Sequence, residues 1–296
     1  MTRENDLLKK AFLKGDALVT WFVTKNFISW IPKVLEVARE AANAIMEVRA
    51  HKNYQVKSKQ DSSPVTEADL LANQILEEGL KSIKPGIPVL SEENETIPYK
   101  DRKHWSLFWL VDPLDGTQEF IKGSKDFTIN IALIEHHQPI LGVVMAPALQ
   151  HYYWGCRNEA AYFQQADNEP EQIQVRSELS FPLKVAVSRS HDHSRSANAK
   201  WNALIQRFKE VEFVYRGSAL KICLVAKGEV DLYPRLGPTG EWDTAAGQCI
   251  LEAAGGQLVD LWGKPFKYNA RETLENAGFF AVGCADLLSY IVDKSD

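Results

Sequence analysis

The sequence predicts an α/β protein of layered sheets and helices, and three observations predict it. Segments 87–90, 107–112, 127–135, 140–146, 151–155 and 160–164 are short apolar runs bounded by turn residues, the pattern of an antiparallel meander. From residue 184 the pattern changes: strands near 184–188, 211–215, 229–233, 256–261 and 278–282 alternate with helical repeats near 196–208, 217–227, 242–254 and 285–293. A meander followed by a mixed half packs as layers. The composition agrees, with 45% hydrophobic and 25% charged residues over 296 positions, ordinary for a globular chain of one large or two moderate domains.

Taken in order, residues 1–30 read as an N-terminal extension. No run reaches the ~18 apolar residues that span a bilayer, and no small-residue cleavage pattern follows the short apolar stretch 17–23. Six Lys/Arg against three Asp/Glu over residues 1–33 make this end basic in a chain of net charge −5. Three readings stay open for it: an amphipathic helix making peripheral contact with a membrane, a helix packed on the body, or a start codon placed too early. Apolar spacing predicts helices over 31–50 and 66–83. Thr66 with Asp69 three residues on forms a capping box at the second. The turn His136-His137-Gln138-Pro139 joins two strands as a hairpin. The polar stretch 165–170 is the best linker, so the expected division is 1–30, 31–165 and 166–296.

The chemistry concentrates at WLVDPLDGTQEFIK (109–122). An apolar run delivers Asp112 to the end of a buried strand, and Pro113, which has no ladder donor, is expected to stop it. Asp115 and Gly116 follow as turn residues. Two carboxylates three residues apart, with no basic residue between them, repel unless a cation lies between. Hard divalent ions such as Mg²⁺ take carboxylate and carbonyl oxygens. Gly116 and Thr117 then offer N–H groups and a hydroxyl where a phosphate would lie. The motif reads as a magnesium-dependent phosphatase site. A plain Asp-Pro-x-Asp-Gly surface turn has the same residues. The haloacid-dehalogenase pattern, Asp-x-Asp-x-Thr, fits poorly, because no Asp stands two residues after Asp112.

Three further acidic segments bear on that choice. Asp69 lies in a first helical turn, where it caps the helix and can also reach a site. Glu92 and Glu93 end a short apolar strand; neighbours on a strand point to opposite faces, so one of them faces a given metal. Asp243 stands at the start of a helix of small residues closed by Gly255-Gly256, where a simple N-cap is the competing role. Trp242 beside it is hard to place in an exposed turn. Carboxylates without His or Cys form an all-oxygen set that suits magnesium rather than zinc.

WLVDPLDGTQEFIK and WDTAAGQCILEAAGG (242–256) resemble the two signature segments of the inositol monophosphatase-like family of lithium-sensitive, Mg²⁺-dependent phosphatases, and PVTEAD (64–69) and LSEE (90–93) match in order. The resemblance covers residues 31–290. Within the family, DFTINIALI (126–134), SRSH (188–191), GSALKICLVAKG (217–228) and LYPRLGP (232–238) are most similar to bacterial 3′(2′),5′-bisphosphate nucleotidases of the CysQ type. The resemblance implies an αβαβα sandwich with the site between its halves, the first holding metal and the second substrate. It implies hydrolysis of adenosine 3′,5′-bisphosphate (PAP) to AMP and phosphate in sulfur metabolism, with PAPS to APS as a further candidate.

On this reading Asp112 bridges two of two or three Mg²⁺ ions, Glu92 and the Leu114 carbonyl complete one site, and Asp115 and Asp243 complete the other. Catalysis falls to Asp69, Thr117 and Glu92, with Thr117 and Asp69 as a water-activating relay by the resemblance. With no covalent nucleophile in the motif, water attacks directly. Substrate contacts are expected from Glu92, Asp115, Gly116, Thr117 and Asp243, and, carried over from similar proteins, from His191, Ser218, Lys221 and Arg235. Lys221 between Leu220 and Ile222 reads equally as a snorkelling lysine; Arg189 and Arg216 are rim charges only. An inositol- or sugar-phosphate monoesterase is the alternative, and a non-catalytic nucleotide-binding protein a further one.

Net charge −5 offers no global attraction to nucleic acid, so an anionic small molecule must meet metals, Lys and Arg locally. Four widely spaced cysteines without a CxxC read as free thiols in a reducing compartment, hence a cytoplasmic chain, peripheral at the inner face of the membrane if residues 1–30 bind there. Oligomeric state is not legible.

Overall fold

The computed structural model describes residues 27–51, 55–58, 64–95, 97–188 and 199–292. The first layer is a pair of amphipathic helices, α1 (Ile31–His51) and α2 (Glu67–Ile83), joined through the hairpin β1 (Val56–Ser58) and β2 (Pro64–Thr66). Thr66 and Asp69 form the expected capping box at α2. A seven-stranded sheet follows in sequence order: β3 (Val89–Ser91), β4 (Leu107–Asp115), β5 (Thr128–Glu135), β6 (Gln138–Ala146), β7 (His151–Cys156), β8 (Ala161–Gln165) and β9 (Glu171–Ile173). Only β3 and β4 run parallel in it. Two short helices interrupt the meander, α3 (Tyr99–Arg102) and α4 (Thr117–Ile121).

The remaining chain gives β10 (Leu183–Val187), α5 (Ala199–Ile205), β11 (Val211–Tyr215), α6 (Leu220–Ala226), β12 (Leu232–Arg235), β13 (Thr239–Gly240), α7 (Glu241–Ala253), β14 (Gln257–Asp260), β15 (Glu275–Asn276), β16 (Phe279–Val282) and α8 (Ala285–Ile291). Five of these strands make a second sheet, ordered β11-β10-β12-β16-β14.

Side-chain parity decides the layers. On the first sheet Trp109, Val111, Ile131, Val143 and Met145 join the core formed by α1 and α2. Their neighbours Leu110, Ala132 and Val144 join a central core with Ile222, Ala246 and Ile250 of α6 and α7. On the second sheet Ala186, Tyr233 and Ala281 face that same central core, whereas Val185, Val187, Leu232 and Val282 pack with Trp201 of α5 and Leu287 of α8. Strand residues alternate faces, so each buried strand feeds two cores, and the result is the αβαβα sandwich. Packing is tightest where α7 crosses the first sheet: a side chain at Gly142 would collide with the Ala246 carbonyl. That close approach fixes the helix that carries Asp243.

Three expectations are corrected and one competing role is set aside. β4 does not stop at Pro113 but continues to Asp115. The stretch 165–170 is no linker but the turn between β8 and β9, which pair through Phe163 and Glu171; polar residues suit an edge hairpin as well as a linker. Asp243 is not an N-cap, since α7 starts at Glu241 after Gly240. The helix expected over 217–227 is confined to α6, because Ser218 turns left-handed at φ 48°. Residues 1–26 of the expected extension lie outside the described residues, while Phe27 and Trp30 meet edge to face with ring centres 5.1 Å apart and the Trp30 ring lies 6.1 Å from that of Trp109. No helix among the described residues is long and apolar enough to cross a membrane.

Candidate active site

β4 carries two of the expected carboxylates, and a bulge aims them. Asp112 pairs with Asn130 and Asp115 with Thr128, so β4 spends one residue more than β5 between these pairs. On an unbroken strand, residues three apart face opposite ways. The extra residue returns both carboxylates to one face. Pro113 sits in the irregular stretch, where its missing N–H costs no ladder bond. Leu114 N–H donates to Asp112 Oδ1 at 3.0 Å. Gly116, at φ 93°, then makes the left-handed turn into α4 that a side chain would strain.

Three separate elements bring further acids to this face. Glu92 follows β3, and its N–H donates to the Val111 carbonyl at 3.2 Å. Asp243 lies in the first turn of α7, where its Oδ2 accepts the Gly240 N–H at 2.9 Å. Carboxylate oxygens of Glu92, Asp112 and Asp243 come within 4.8 Å of one another; Glu93 is not in this cluster, although both glutamates lie in the turn after β3, where strand alternation no longer applies. Asp115 Oδ2 accepts the Ala219 N–H at 2.6 Å and, at 3.4 Å each, Thr128 Oγ1 and Asn130 Nδ2. Asp69 closes a relay: Thr66 donates to its Oδ2 through N–H (2.8 Å) and Oγ1 (2.6 Å), and Thr117 Oγ1 donates to its Oδ1 at 2.9 Å.

The electrostatics are those of a site built for a cation. Burial pushes Asp112 well above the usual carboxylate range, and Glu92, Asp115 and Asp243 push it further. Burial, with Asp115 and Glu92, raises Asp243 to about 8. Asp115 is also raised by burial, against the pull of Lys221 and the Ala219 N–H. Buried like charges favour protonation unless something positive compensates. An all-oxygen donor set with this repulsion fits a hard divalent ion.

A cavity of about 210 Å³ opens beside the acids, lined by Asp115, Gly116, Ser218, Lys221, Arg235 and Asp243 among others. Lys221 is buried, and its Nζ donates to the Ser218 carbonyl at 2.7 Å and lies 5.0 Å from the Tyr233 ring centre. Burial lowers its pKa to about 8, opposed by Asp115. It is therefore no snorkelling surface lysine. Arg235 Nη2 donates to the Pro238 carbonyl at 3.2 Å, while its Nε and Thr239 Oγ1 are buried without a partner among the described residues. Buried polar atoms of this kind call for a partner that the chain does not supply. The structure thus brings Asp69, Glu92, Asp112, Leu114, Asp115, Gly116, Thr117, Ser218, Lys221, Arg235 and Asp243 to one region; His191 and Arg189 lie outside the described residues.

The chain matches the inositol monophosphatase family over residues 29–290. It belongs to that family. The 3′(2′),5′-bisphosphate nucleotidase CysQ of Escherichia coli strain K12 is 45% identical over 250 residues, which cover 84% of this chain and 98% of that protein. CysQ of Haemophilus influenzae is 38% identical over 252 residues, 85% and 91% of the two chains. Among solved structures, CysQ from Bacteroides thetaiotaomicron, described as a bacterial member of the inositol monophosphatase family, aligns with a TM-score of 0.74 at 33% identity over 86% of this chain and 97% of that one. The suhB protein of Bartonella henselae, at 23% identity and TM-score 0.73 over 90% and 100%, shares the fold. Enzymes of this family are metal-dependent, and the Glu92–Asp112–Asp243 cluster is where a metal ion would sit.

Sequence reasoning overlooked the supports of Asp115. Asp126, Thr128 and Asn130 alternate with apolar residues, and all three are buried. Thr128 and Asn130 bond Asp115, and Asp126 Oδ2 accepts the Gly217 N–H at 3.2 Å. Polar residues at every second position of an otherwise apolar strand were the available signal. Thr239 carried none.

Proposed function

We propose that this chain is a magnesium-dependent 3′(2′),5′-bisphosphate nucleotidase that hydrolyses adenosine 3′,5′-bisphosphate to AMP and phosphate, with the 5′-phosphosulfate analogue as a second substrate. One observation carries the chemistry: the mutually repelling carboxylates of buried Asp112 and half-buried Glu92 and Asp243 beside a cavity that presents Lys221 and Arg235. The CysQ relatives, alike over most of the chain, carry the substrate. Glu92, Asp112, Asp115, Asp243 and the Leu114 carbonyl would hold two or three Mg²⁺ ions. When bound, magnesium supplies positive charge at the phosphate and makes water more acidic.

The residues of the chain do the positioning. Thr117 gives its hydroxyl proton to Asp69 Oδ1 (2.9 Å), so the lone pairs of Oγ1 are left to accept from a water. Thr66 holds the other Asp69 oxygen, so the relay has one direction: water to Thr117, Thr117 to Asp69. The N–H groups of Gly116 and Thr117 serve the phosphate to be cleaved, and Lys221 and Arg235, with Ser218 and His191, serve the nucleotide and its second phosphate, Arg by its fork of donors. The substrate is a small molecule, and a cytoplasmic location is part of the same reading; for the end of the extension, Phe27 and Trp30 against the first core support packing on the body over membrane contact.

Phosphate release with Mg²⁺ from adenosine 3′,5′-bisphosphate and from inositol 1-phosphate tests it. Preference for the nucleotide by kcat/KM is expected. Preference for inositol phosphate would keep the chemistry and overturn the substrate.

A further inference from the structure

A second cleft, of about 550 Å³, lies on the other side of the segment that carries Lys221. It shares no lining residue with the site cavity. The two are back to back on α6: Lys221 and Ile222 line the site, whereas Leu220 and Leu224, one helical turn apart, line the second cleft. The partition between them is held by the bond from Gly217 N–H to Asp126 Oδ2.

Its chemistry is divided. The floor is apolar and aromatic, from Leu149, Tyr153, Leu220 and Leu224. The rim is cationic, from Lys122, Lys125 and Arg216. The two acids of the cleft are engaged elsewhere, Asp126 by Gly217 N–H and Glu229 by Lys227 at 3.1 Å. Neither Lys122 nor Lys125 forms an ion pair among the described residues. His151 sits in the wall, 6.3 Å from the Tyr153 ring, and burial and Lys227 lower its pKa, so the cleft offers a neutral ring there at neutral pH. A pocket of this volume suits a small organic molecule. A polyol phosphate would leave its hydroxyls against leucine and tyrosine, at a desolvation cost. A flat heteroaromatic ring with an anionic tail meets both halves.

We propose that this cleft is a second ligand site, separate from the phosphatase site, for a nucleoside phosphate whose base lies on the Leu149–Tyr153–Leu224 floor and whose phosphate meets Lys122, Lys125 and Arg216. The assignment does not rest on which phosphate ester the chain cleaves.

Methyl NMR on the Mg²⁺-loaded full chain tests it, with AMP as the probe. Leu149 and Leu224 report the second cleft, and Ile222 reports the site cavity. AMP is expected to shift the Leu149 and Leu224 methyls along a saturation curve of their own. In the Lys122→Glu/Lys125→Glu variant that curve should weaken at least about tenfold, with the Ile222 response and the KM for the phosphate ester that the parent cleaves within about twofold of the parent. Adenosine, which lacks the phosphate, should leave both leucines unmoved at the same concentration. The proposal fails if millimolar AMP produces no saturable shift, if the shift survives the charge reversal, or if adenosine matches AMP. It fails equally if the KM rises with the loss of the leucine response, which would make the cleft an arm of the first site. Leucine signals that move with protein concentration alone would make it a contact between two copies.

Discussion

Glu241 and Asp243 stand two residues apart in the first turn of α7, and the chain treats them in opposite ways. Glu241 is fully buried among its own partners: Asn269 N–H donates to it at 2.6 Å and Arg271 pairs with it at 3.3 Å. Arg102, buried alongside, donates to the carbonyls of Ile97 (3.1 Å), Arg271 (3.2 Å) and Glu272 and to Asn269 Oδ1 (2.5 Å). Asn269 Nδ2 returns a bond to the Arg102 carbonyl at 2.7 Å. Asp243 instead faces Asp112 and Glu92. One cluster is complete within the polypeptide; the other is complete only with something positive from outside. The difference separates a group that holds the fold from a group that the fold holds ready.

The largest effect should come from Asp112→Asn. It keeps the shape and removes one charge at the centre of the acid cluster, so kcat should fall on the order of 10³-fold, as for loss of one preorganised electrostatic group. In the same variant the metal-free protein should melt higher, because a buried repulsion is relieved. Steady-state assay and thermal melting in a chelator check the two halves. A variant that loses activity and stability together would break the comparison, since Asp112 would then be holding the fold as well.

Arg102→Ala is the mirror test. It leaves Glu241 with less compensation and orphans the carbonyls of residues 97, 271 and 272. Truncating one member of a buried charged cluster costs about 3–5 kcal/mol, read from denaturant unfolding. The folded fraction at low temperature should turn over at close to the parental rate, because Arg102 reaches no residue of the acid cluster. A rate loss beyond the loss of folded protein would blur the division.

The two clusters also differ in how legible they were. The acids were readable because Asp112 and Glu92 each follow an apolar run, 107–111 and 87–90, and Asp243 opens a helix of small residues. The bulge that brings Asp112 and Asp115 to one face was not, because Pro113 reads equally as a stop, and only the pairing with Asn130 and Thr128 decides it. The Arg102 clasp was invisible. All its partners but the Ile97 carbonyl lie 167 to 170 positions away in a loop without periodicity, and such long-range satisfaction of carbonyls leaves no local pattern. The layers were predictable from period-2 and helical spacing. The expected linker at 165–170 failed because turn composition does not tell a hairpin from a crossover.

The smallest effect, a dependence on pH, sharpens the comparison most. Asp243 titrates near 8 in the folded metal-free protein, against an ordinary 3.8. Between these values the folded state keeps a proton that the unfolded chain has released, so stability of the metal-free protein falls as pH rises through that window. Glu241 is raised too, by burial against the opposing Asn269 N–H and Arg271, so its contribution has the same sign. Magnesium separates them. Its ligands must be ionised, so binding expels protons from the acid cluster and strengthens with pH, while Glu241 has no part in it. The Mg²⁺-minus-chelator difference in Tm should therefore be larger at pH 8 than at pH 5, at about 2–4 °C for each kcal/mol in a chain of this size. Asp243→Asn should flatten that dependence, and Arg271→Ala, which removes the bonds to Glu241 and Asn276 and touches none of the acids of the site, should lower Tm at both pH values and leave the difference as it was. Equal stabilisation by magnesium at pH 5 and pH 8 would mean that the acids are already ionised in the folded chain, and the contrast between the two clusters would then rest on geometry alone.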